Sequence, residues 1–157
     1  MLTNEWICTS EIAGKHKGAI WKVAWADPEF GSIIASCGYD QFVQIYKEKE
    51  IFDKNNAPRK NPLSTGKQWD SVRSLSIDAP IRDIKFAPRF FGLVLAVACA
   101  NGNIKIYQPN TGDDLGEWNE NYGVIKTFRP GCNCIAWNPA SDEPVMILAG
   151  CVEKDSN

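Results

Sequence analysis

Residues 20–46 read IWKVAWADPEFGSIIASCGYDQFVQIY, and residues 81–107 read IRDIKFAPRFFGLVLAVACANGNIKIY. The two stretches align without a gap from Ile20/Ile81 to Tyr46/Tyr107, and seven of their 27 positions are identical. Such internal repetition is typical of architectures in which one unit cannot bury its apolar face without a neighbour. The repeat therefore predicts a row of similar units packed side by side.

Each unit carries the pattern of three β-strands. Short runs rich in Val, Ile, Tyr, Phe and Trp are separated by Gly, Pro, Asn and Asp, which is typical of strands and tight turns. Asp27-Pro28 and Ala87-Pro88 interrupt the pattern after the first strand of each unit, and Asn101-Gly102 supplies the left-handed conformations of a hairpin turn. Each unit is therefore predicted to be a three-stranded antiparallel meander.

A fourth strand and a third unit extend the pattern. A tryptophan precedes each meander at a similar distance, and the segment after it is predicted to be the outer strand of the preceding unit; these tryptophans are Trp6, Trp69 and Trp118. Cys132, Ile135 and Trp137 repeat the spacing with which the first unit starts, at Ile20, Val23 and Trp25. Four strands per unit with a period of about 50–60 residues predict a β-propeller.

The sequence thus predicts an all-β, incomplete β-propeller over residues 1–157. We expect the outer strand of a preceding blade at 6–12, complete blades at 15–77 and 78–128, and part of a blade at 129–157. Three aromatic side chains at equivalent inner-strand positions are predicted to be buried: Trp25, Phe86 and Trp137.

Composition and charge argue against several classes of partner. The formal net charge is −2, and the basic residues of the polar segment Glu48–Lys67 are offset by acids, so no nucleic-acid partner is expected. The longest apolar run, Leu93–Ala100, is far shorter than the ~20 residues that span a bilayer. The N-terminal MLTNEW lacks the pattern of a secretory signal. We therefore expect an intracellular chain with no direct membrane insertion.

The six cysteines leave two interpretations open. Cys132-x-Cys134 invites a zinc site, but zinc usually takes Cys pairs with a wider spacing than this one, and with a second pair or histidines nearby. His16 is the only histidine, so packed free thiols are favoured. No nucleophile, phosphate-binding or zinc-protease motif occurs, so neither an enzyme nor a cofactor is predicted.

The repeat resembles the WD-repeat β-propeller family. His16 lies where that family has the His of its Gly-His pair, with Lys15 in place of the Gly, and Tyr46-Lys47 stands where Trp-Asp would end the third strand. The resemblance implies a buried structural network of His16, Ser36 and Asp40. The second unit has Asp78, Val97 and Asn101 in the corresponding region and cannot form that network.

Three segments in order resemble one branch of that family more specifically: the AxPEFG turn, the KFAP turn and CNCIAWNP. The branch is the small WD-repeat nucleoporins of the Y-shaped nuclear pore subcomplex, which also serve in the GATOR complex that regulates TOR signalling. The resemblance implies a non-enzymatic scaffold bound by helical-solenoid proteins of the nuclear pore Y complex or the GATOR complex. It implies the nuclear pore complex at the nuclear envelope, or the lysosomal or vacuolar membrane surface.

Two alternatives share the same architecture. The small WD-repeat subunit of the COPII vesicle coat is the next relative, and a generic peptide-binding WD-repeat module is the other. Trp21 bears on partner binding because its repeat equivalents, Arg82 and Asn133, are polar. Trp21 is therefore a candidate partner contact, with packing between blades as the alternative.

Overall fold

A computed structural model describes residues 6, 8–50, 67–111, 114–127 and 131–152. These residues form three antiparallel sheets. The strands of the first sheet are β1 (Ile20–Trp25), β2 (Ile33–Gly38), β3 (Phe42–Glu50) and β4 (Lys67–Ser76). Those of the second sheet are β5 (Ile81–Phe86), β6 (Leu95–Cys99), β7 (Asn103–Pro109) and β8 (Trp118–Lys126). The third sheet contains β9 (Cys132–Trp137) and β10 (Ile147–Cys151).

The fold is an all-β, incomplete propeller, as the repeat predicts. In each sheet the strands pair in chain order, and the innermost strands β1, β5 and β9 lie next to one another. The described helices are two short 3-10 helices, Pro28–Phe30 and Arg89–Phe91. In the part of the chain that is described, no helix is long and apolar enough to cross a membrane.

The repeat extends to the details of the backbone. β1 and β5 begin and end at equivalent residues of the two units, and each contains a register shift after its first residue, at Ile20 and at Ile81. The β2–β3 turn contains Gln41 at φ 67°, and the equivalent turn residue is Gly102 at φ 86°. Glycine adopts this left-handed conformation without strain, whereas Gln41 carries a steric cost there.

The main core lies between the first and second sheets. Apolar side chains of β2 and β3 face those of β5 and β6, and the largest fully buried members are Ile33, Ile45, Ile81, Ile84 and Leu95. A second, smaller core lies between the second and third sheets and includes Ile106, Cys132 and Ile135. Each sheet is therefore stabilised by burial against its neighbour, as expected for blades that share their cores.

Polar contacts align the third sheet on the second. The buried carboxylate of Asp83 on β5 accepts a hydrogen bond from the backbone N–H of Ile135 on β9, at 3.0 Å. The Trp137 indole N–H donates to the carbonyl of Lys85, also at 3.0 Å. These bonds fix the inner strands of neighbouring blades relative to each other.

The prediction that three equivalent aromatic side chains are buried was wrong, because Trp25 is exposed and the other two are only partly buried. The Trp25 side chain is 63% exposed, whereas Phe86 and Trp137 are half-buried, each packed against the preceding sheet. No described sheet covers the outer face of the first sheet. Trp25 instead packs edge to face with Trp69 of β4, at 5.4 Å between ring centroids. The position is apolar in every repeat, but its burial depends on a neighbouring blade.

Two further expectations need correction. Residues 6 and 8–12 form no strand, because an outer strand pairs with the third strand of its own blade and none is described beside them.

The cysteines are all free, but only three are packed as predicted, since Cys8 and Cys134 are exposed. Burial raises the pKa of Cys37 to about 12 and that of Cys99 to about 11.

The blade boundaries at 15–77, 78–128 and 129–157 stay predictions. Most of the polar segment Glu48–Lys67, namely residues 51–66, lies outside the described residues.

Candidate functional site

The structure brings His16, Ser36 and Asp40 together. His16 precedes β1, Ser36 lies on β2, and Asp40 lies in the β2–β3 turn. The His16 Nδ1 atom lies 2.9 Å from Asp40 Oδ2, and Nε2 lies 2.7 Å from Ser36 Oγ. With Nδ1 protonated, His16 donates to Asp40 and accepts from the Ser36 hydroxyl. The three side chains thus tie the segment before β1 to the inner part of the same sheet.

Backbone groups complete the surroundings of the Asp40 carboxylate. It accepts hydrogen bonds from the N–H of Lys17 at 2.9 Å and from the N–H of Phe42 at 3.3 Å. Burial alone would raise the pKa of Asp40, but the bonds from Lys17, His16 and Phe42 together outweigh it and lower the pKa below its ordinary value. This carboxylate therefore stabilises the fold above its unfolded pKa, and that contribution is lost as the pH falls through its folded pKa.

Sequence reasoning did not place Tyr46 in this group. The buried Tyr46 hydroxyl lies 3.5 Å from Ser36 Oγ, at the end of the same row of polar atoms. Its position at the end of the third strand, where the resemblance expects Trp, was the signal that could have identified it. Tyrosine supplies a similar aromatic body with a hydroxyl that the indole lacks.

The order Asp40, His16 and Ser36 matches the connectivity of a hydrolytic triad. A nucleophilic serine must meet a substrate carbonyl beside preorganised hydrogen-bond donors. Ser36 is buried, and the side chain of His16 is almost wholly enclosed. A substrate cannot reach the Ser36 hydroxyl in this arrangement, so what the geometry can do is hold strands together.

We expect Asp40→Ala to lower the free energy of unfolding by ~1–3 kcal/mol, because it leaves the enclosed His16 ring and two backbone N–H groups without their acceptor. Asn101→Ala is the matched control. Asn101 occupies the equivalent turn and caps it through the N–H of Asn103 at 3.1 Å, without a histidine partner. Urea unfolding of both variants checks the prediction. Equal losses of unfolding free energy in the two variants would mean that the hydrogen bond within the turn accounts for the effect of Asp40. An unchanged urea midpoint in Asp40→Ala would contradict a stabilising network.

The second blade has an ionic network in the corresponding place. The Lys105 ammonium lies 3.1 Å from Asp78 Oδ1 and 3.6 Å from Glu120 Oε2, and the Tyr107 hydroxyl donates to Glu120 at 3.3 Å. Burial opposes the charge of Lys105, but Asp78 and Glu120 outweigh it and raise its pKa. The hydrogen bond from Lys105 lowers the pKa of Asp78. A different set of residues thus links the strand-connecting segment to β7 and β8.

Trp21 lies between two blades at the start of β1. Its ring packs edge to face with Tyr39, at 5.9 Å between centroids, and the Arg82 guanidinium of the second blade lies 4.8 Å above it. About a third of the side chain, 36%, is exposed. The packing alternative is therefore present in the structure, and a role in partner contact stays a prediction.

Among the described residues, no group of three or more His, Cys, Asp or Glu side chains is placed to hold a metal ion. Cys132 is buried between the second and third sheets, whereas Cys134 on the same strand is exposed. Burial raises the pKa of the Cys132 thiol to about 12, which favours the protonated form.

Comparison with known proteins extends these observations. The chain is 33% identical over 148 residues to nucleoporin SEH1 of Danio rerio, which covers 93% of the chain and 38% of that relative. It is 32% identical over 157 residues to SEH1 of Bos taurus and 31% identical over 157 residues to SEH1 of Homo sapiens. The chain is thus similar to the SEH1 nucleoporins along almost its whole length.

The similarity covers almost the whole chain but less than half of each relative. With the Bos taurus and Homo sapiens SEH1 proteins it covers 99% of the chain but 41% of the relative, so the chain spans about two fifths of the length of the relatives it matches. No protein-family model matches the chain. The similarity to SEH1 includes all three described sheets, which agrees with the resemblance to WD-repeat nucleoporins that the sequence motifs indicate.

Proposed function

We propose that this chain acts as a non-enzymatic scaffold, as part of a WD-repeat nucleoporin of the nuclear pore Y complex at the nuclear envelope. The observation that carries the proposal is similarity to SEH1 nucleoporins over 99% of the chain. The one histidine supports a structural role, because His16 is almost wholly enclosed and its partner Ser36 is buried away from any substrate.

The proposed partner is a helical-solenoid scaffold protein that contributes β-strands to the propeller. Another chain can add strands at an exposed sheet edge, where backbone hydrogen bonds give affinity, and it can pack on an uncovered sheet face through apolar contacts. The first sheet offers such a face at Ile20, Val23 and Trp25, all of which are exposed. GATOR subunits at the lysosomal or vacuolar surface are the second set of partners implied by the resemblance.

Localisation and copurification test the proposal. The tagged chain is expressed in cells, imaged, and purified under mild conditions with the tag alone as the control. We expect a rim at the nuclear envelope and enrichment of nucleoporins that contain helical solenoids. Recovery of GATOR subunits at lysosomes without nucleoporins would move the function to that complex. A diffuse chain that enriches neither group would contradict a scaffold role in either assembly.

Trp21→Ala tests whether Trp21 contacts the partner. If it does, the variant is expected to lose most of the copurified nucleoporins while its melting midpoint stays close to that of the parent chain. Phe90→Ala is the matched control, because Phe90 is also an exposed aromatic residue but follows the far end of the inner strand of its blade. Equal recovery with Trp21→Ala and Phe90→Ala would limit Trp21 to packing against Arg82.

A further inference from the structure

Two cysteines face each other on the third sheet. Cys132 is the first residue of β9 and Cys151 is the last residue of β10, and the two are direct cross-strand partners. They lie at the open end of the β9–β10 pair, whereas the connection between the strands leaves from Trp137 and returns at Ile147. A bond between the two cysteine side chains would therefore close the open end.

The backbone pairing brings the two cysteines close together. The next pair along the strands is Gly131 and Val152, and the N–H of Val152 donates to the Gly131 carbonyl at 2.9 Å. Hydrogen-bonded and non-hydrogen-bonded pairs alternate in an antiparallel ladder, so Cys132 and Cys151 form a non-hydrogen-bonded pair. The Cα atoms of such pairs are about 4.5 Å apart. This separation is within the range of about 4.4–6.8 Å that a disulfide spans.

Both cysteine side chains lie on the same face of the sheet. Cys132 is buried in the smaller core between the second and third sheets. Cys151 packs against that core together with Ile147 and Ala149, whereas Leu148 between them is 76% exposed. Because alternate residues of a strand share a face, Cys151 is directed toward the core that contains Cys132.

Among the three described sheets, only the third has cysteines at both of these positions. The equivalent partners are Ile20 with Gly38 in the first sheet and Ile81 with Cys99 in the second. The same backbone pairing thus forms without a cysteine pair in two of the three units. The fold itself does not require two thiols at this place.

The other cysteines nearby face elsewhere. The register shift leaves Asn133 as the extra residue of β9 and places Cys134 opposite Gly150. Cys134 is exposed, and Gly150 alternates with Cys151 along β10, so Cys134 lies on the face away from the smaller core. Cys99 belongs to the main core between the first and second sheets. The arrangement therefore selects Cys151 as the partner of Cys132.

We infer that Cys132 and Cys151 are a modification site for a peroxide, which converts the two thiols into a disulfide that joins β9 to β10. Cys151 is the half-buried member of the pair, so its sulfur meets hydrogen peroxide first. Its attack on a peroxide oxygen forms a sulfenic acid and releases one water. The Cys132 sulfur then displaces the sulfenic hydroxyl as a second water, and the S–S bond forms. The two thiols lose two electrons and two protons, which the peroxide takes up.

The surroundings of Cys132 fit its place as the second sulfur. Burial, and after it the neighbouring Cys151, raise the pKa of Cys132 to about 12, so it is a poor first nucleophile. Its proton leaves as the S–S bond forms. In a compartment rich in glutathione, two glutathione thiols restore the cysteine pair and leave as oxidised glutathione. Disulfides that form and break in this way are typical of redox-responsive proteins in reducing compartments.

Mass mapping of the full chain tests the inference. The reduced chain, at submicromolar concentration, is treated with hydrogen peroxide, blocked with N-ethylmaleimide and digested without reduction. We expect a peptide pair joined through Cys132 and Cys151, lighter by two hydrogens than the two thiol peptides, which dithiothreitol separates. The same treatment in concentrated urea should give mixed pairings among the six cysteines, because the β9–β10 register no longer selects one.

Matched serine variants locate the bond. Cys151→Ser should lower the yield of intramolecular disulfide at least about tenfold, whereas Cys134→Ser should stay within about twofold of the parent chain. Amide hydrogen exchange over 147–151 should slow at least about tenfold when the parent chain or Cys134→Ser is oxidised, because the link keeps β10 from separating from β9. Peroxide should leave the exchange of Cys151→Ser in that strand unchanged.

Four results would overturn the inference. These are the absence of a Cys132–Cys151 peptide pair from the oxidised native chain, preferential pairing through Cys134 or Cys99, equal disulfide yields from the two serine variants, and unchanged exchange in β10 once the bond has formed. Mapping of the parent chain requires no variant, so a serine variant that fails to fold leaves that result intact. No nucleoporin takes part in these reactions, so they are separate from the localisation test of the proposed function.

Discussion

Ile84→Ala is expected to lower the free energy of unfolding by about 2–5 kcal/mol, whereas Val23→Ala should change it by less than about 0.5 kcal/mol. The two residues occupy the same position in successive repeats. Ile84 is fully buried against the first sheet, so its truncation removes apolar contacts and leaves a cavity. Val23 is 67% exposed because no described sheet lies against it, so little packing is lost there.

Urea unfolding at submicromolar chain concentration measures both effects without association of chains. Both variants remove apolar carbon from an inner strand, so the comparison isolates burial from strand propensity. Comparable losses at the two positions would mean that the face of β1 is covered in solution by something other than the described sheets. A small loss of unfolding free energy in Ile84→Ala would contradict the placement of the main core between the first and second sheets.

The internal repeat allowed most of the strand arrangement to be predicted. Alternation of apolar residues and the turn residues beside them are local signals, and the ungapped alignment of the two units transfers each assignment from one to the next. β1 and β5 therefore begin where the repeat places them, at Ile20 and Ile81. β8 was harder, because the segment after Trp118 is irregular in sequence, yet it pairs with β7 as a strand that extends to Lys126.

Burial could not be predicted in the same way. Whether Trp25 is enclosed depends on a neighbouring blade, and the repeat pattern is the same with or without that blade. Cys134 shows a related effect, since it lies on an inner strand but is exposed at the third sheet. A pattern of apolar residues indicates which face of a strand is suited to burial, and tertiary packing determines whether that face is covered.

The two polar networks differ in how far they could be predicted from the sequence. His16, Ser36 and Asp40 were identified through resemblance, and the structure places them within hydrogen-bonding distance. The ionic set of the second blade was missed. Its signal was a pair of changes at equivalent repeat positions, with Gln44 replaced by Lys105 and Lys17 replaced by Asp78. Opposite charges that appear together in this way favour a salt bridge, but the contribution of Glu120 required the β7–β8 register.

At tens of micromolar, the isolated chain is expected to self-associate rather than remain a monomer. The uncovered face of the first sheet exposes Ile20, Val23 and Trp25 side by side, and the edge of β10 has no described partner at the other end. Closed propellers avoid both exposures because their first and last blades meet. An apolar face and an unpaired strand edge are surfaces through which β-proteins associate.

Light scattering and analytical centrifugation across a concentration series measure this association. Changing both Val23 and Trp25 to Lys should shift it to at least about tenfold higher concentration, because burial of that face would then enclose two charges. The control changes Trp6 and Phe90 to Lys, which adds the same charge at exposed apolar residues outside the sheet face. If both variants reduce association equally, net charge is responsible and the face is not the contact. A parent chain that stays monodisperse and melts cooperatively at tens of micromolar would mean that these sheets are stable without a covering blade.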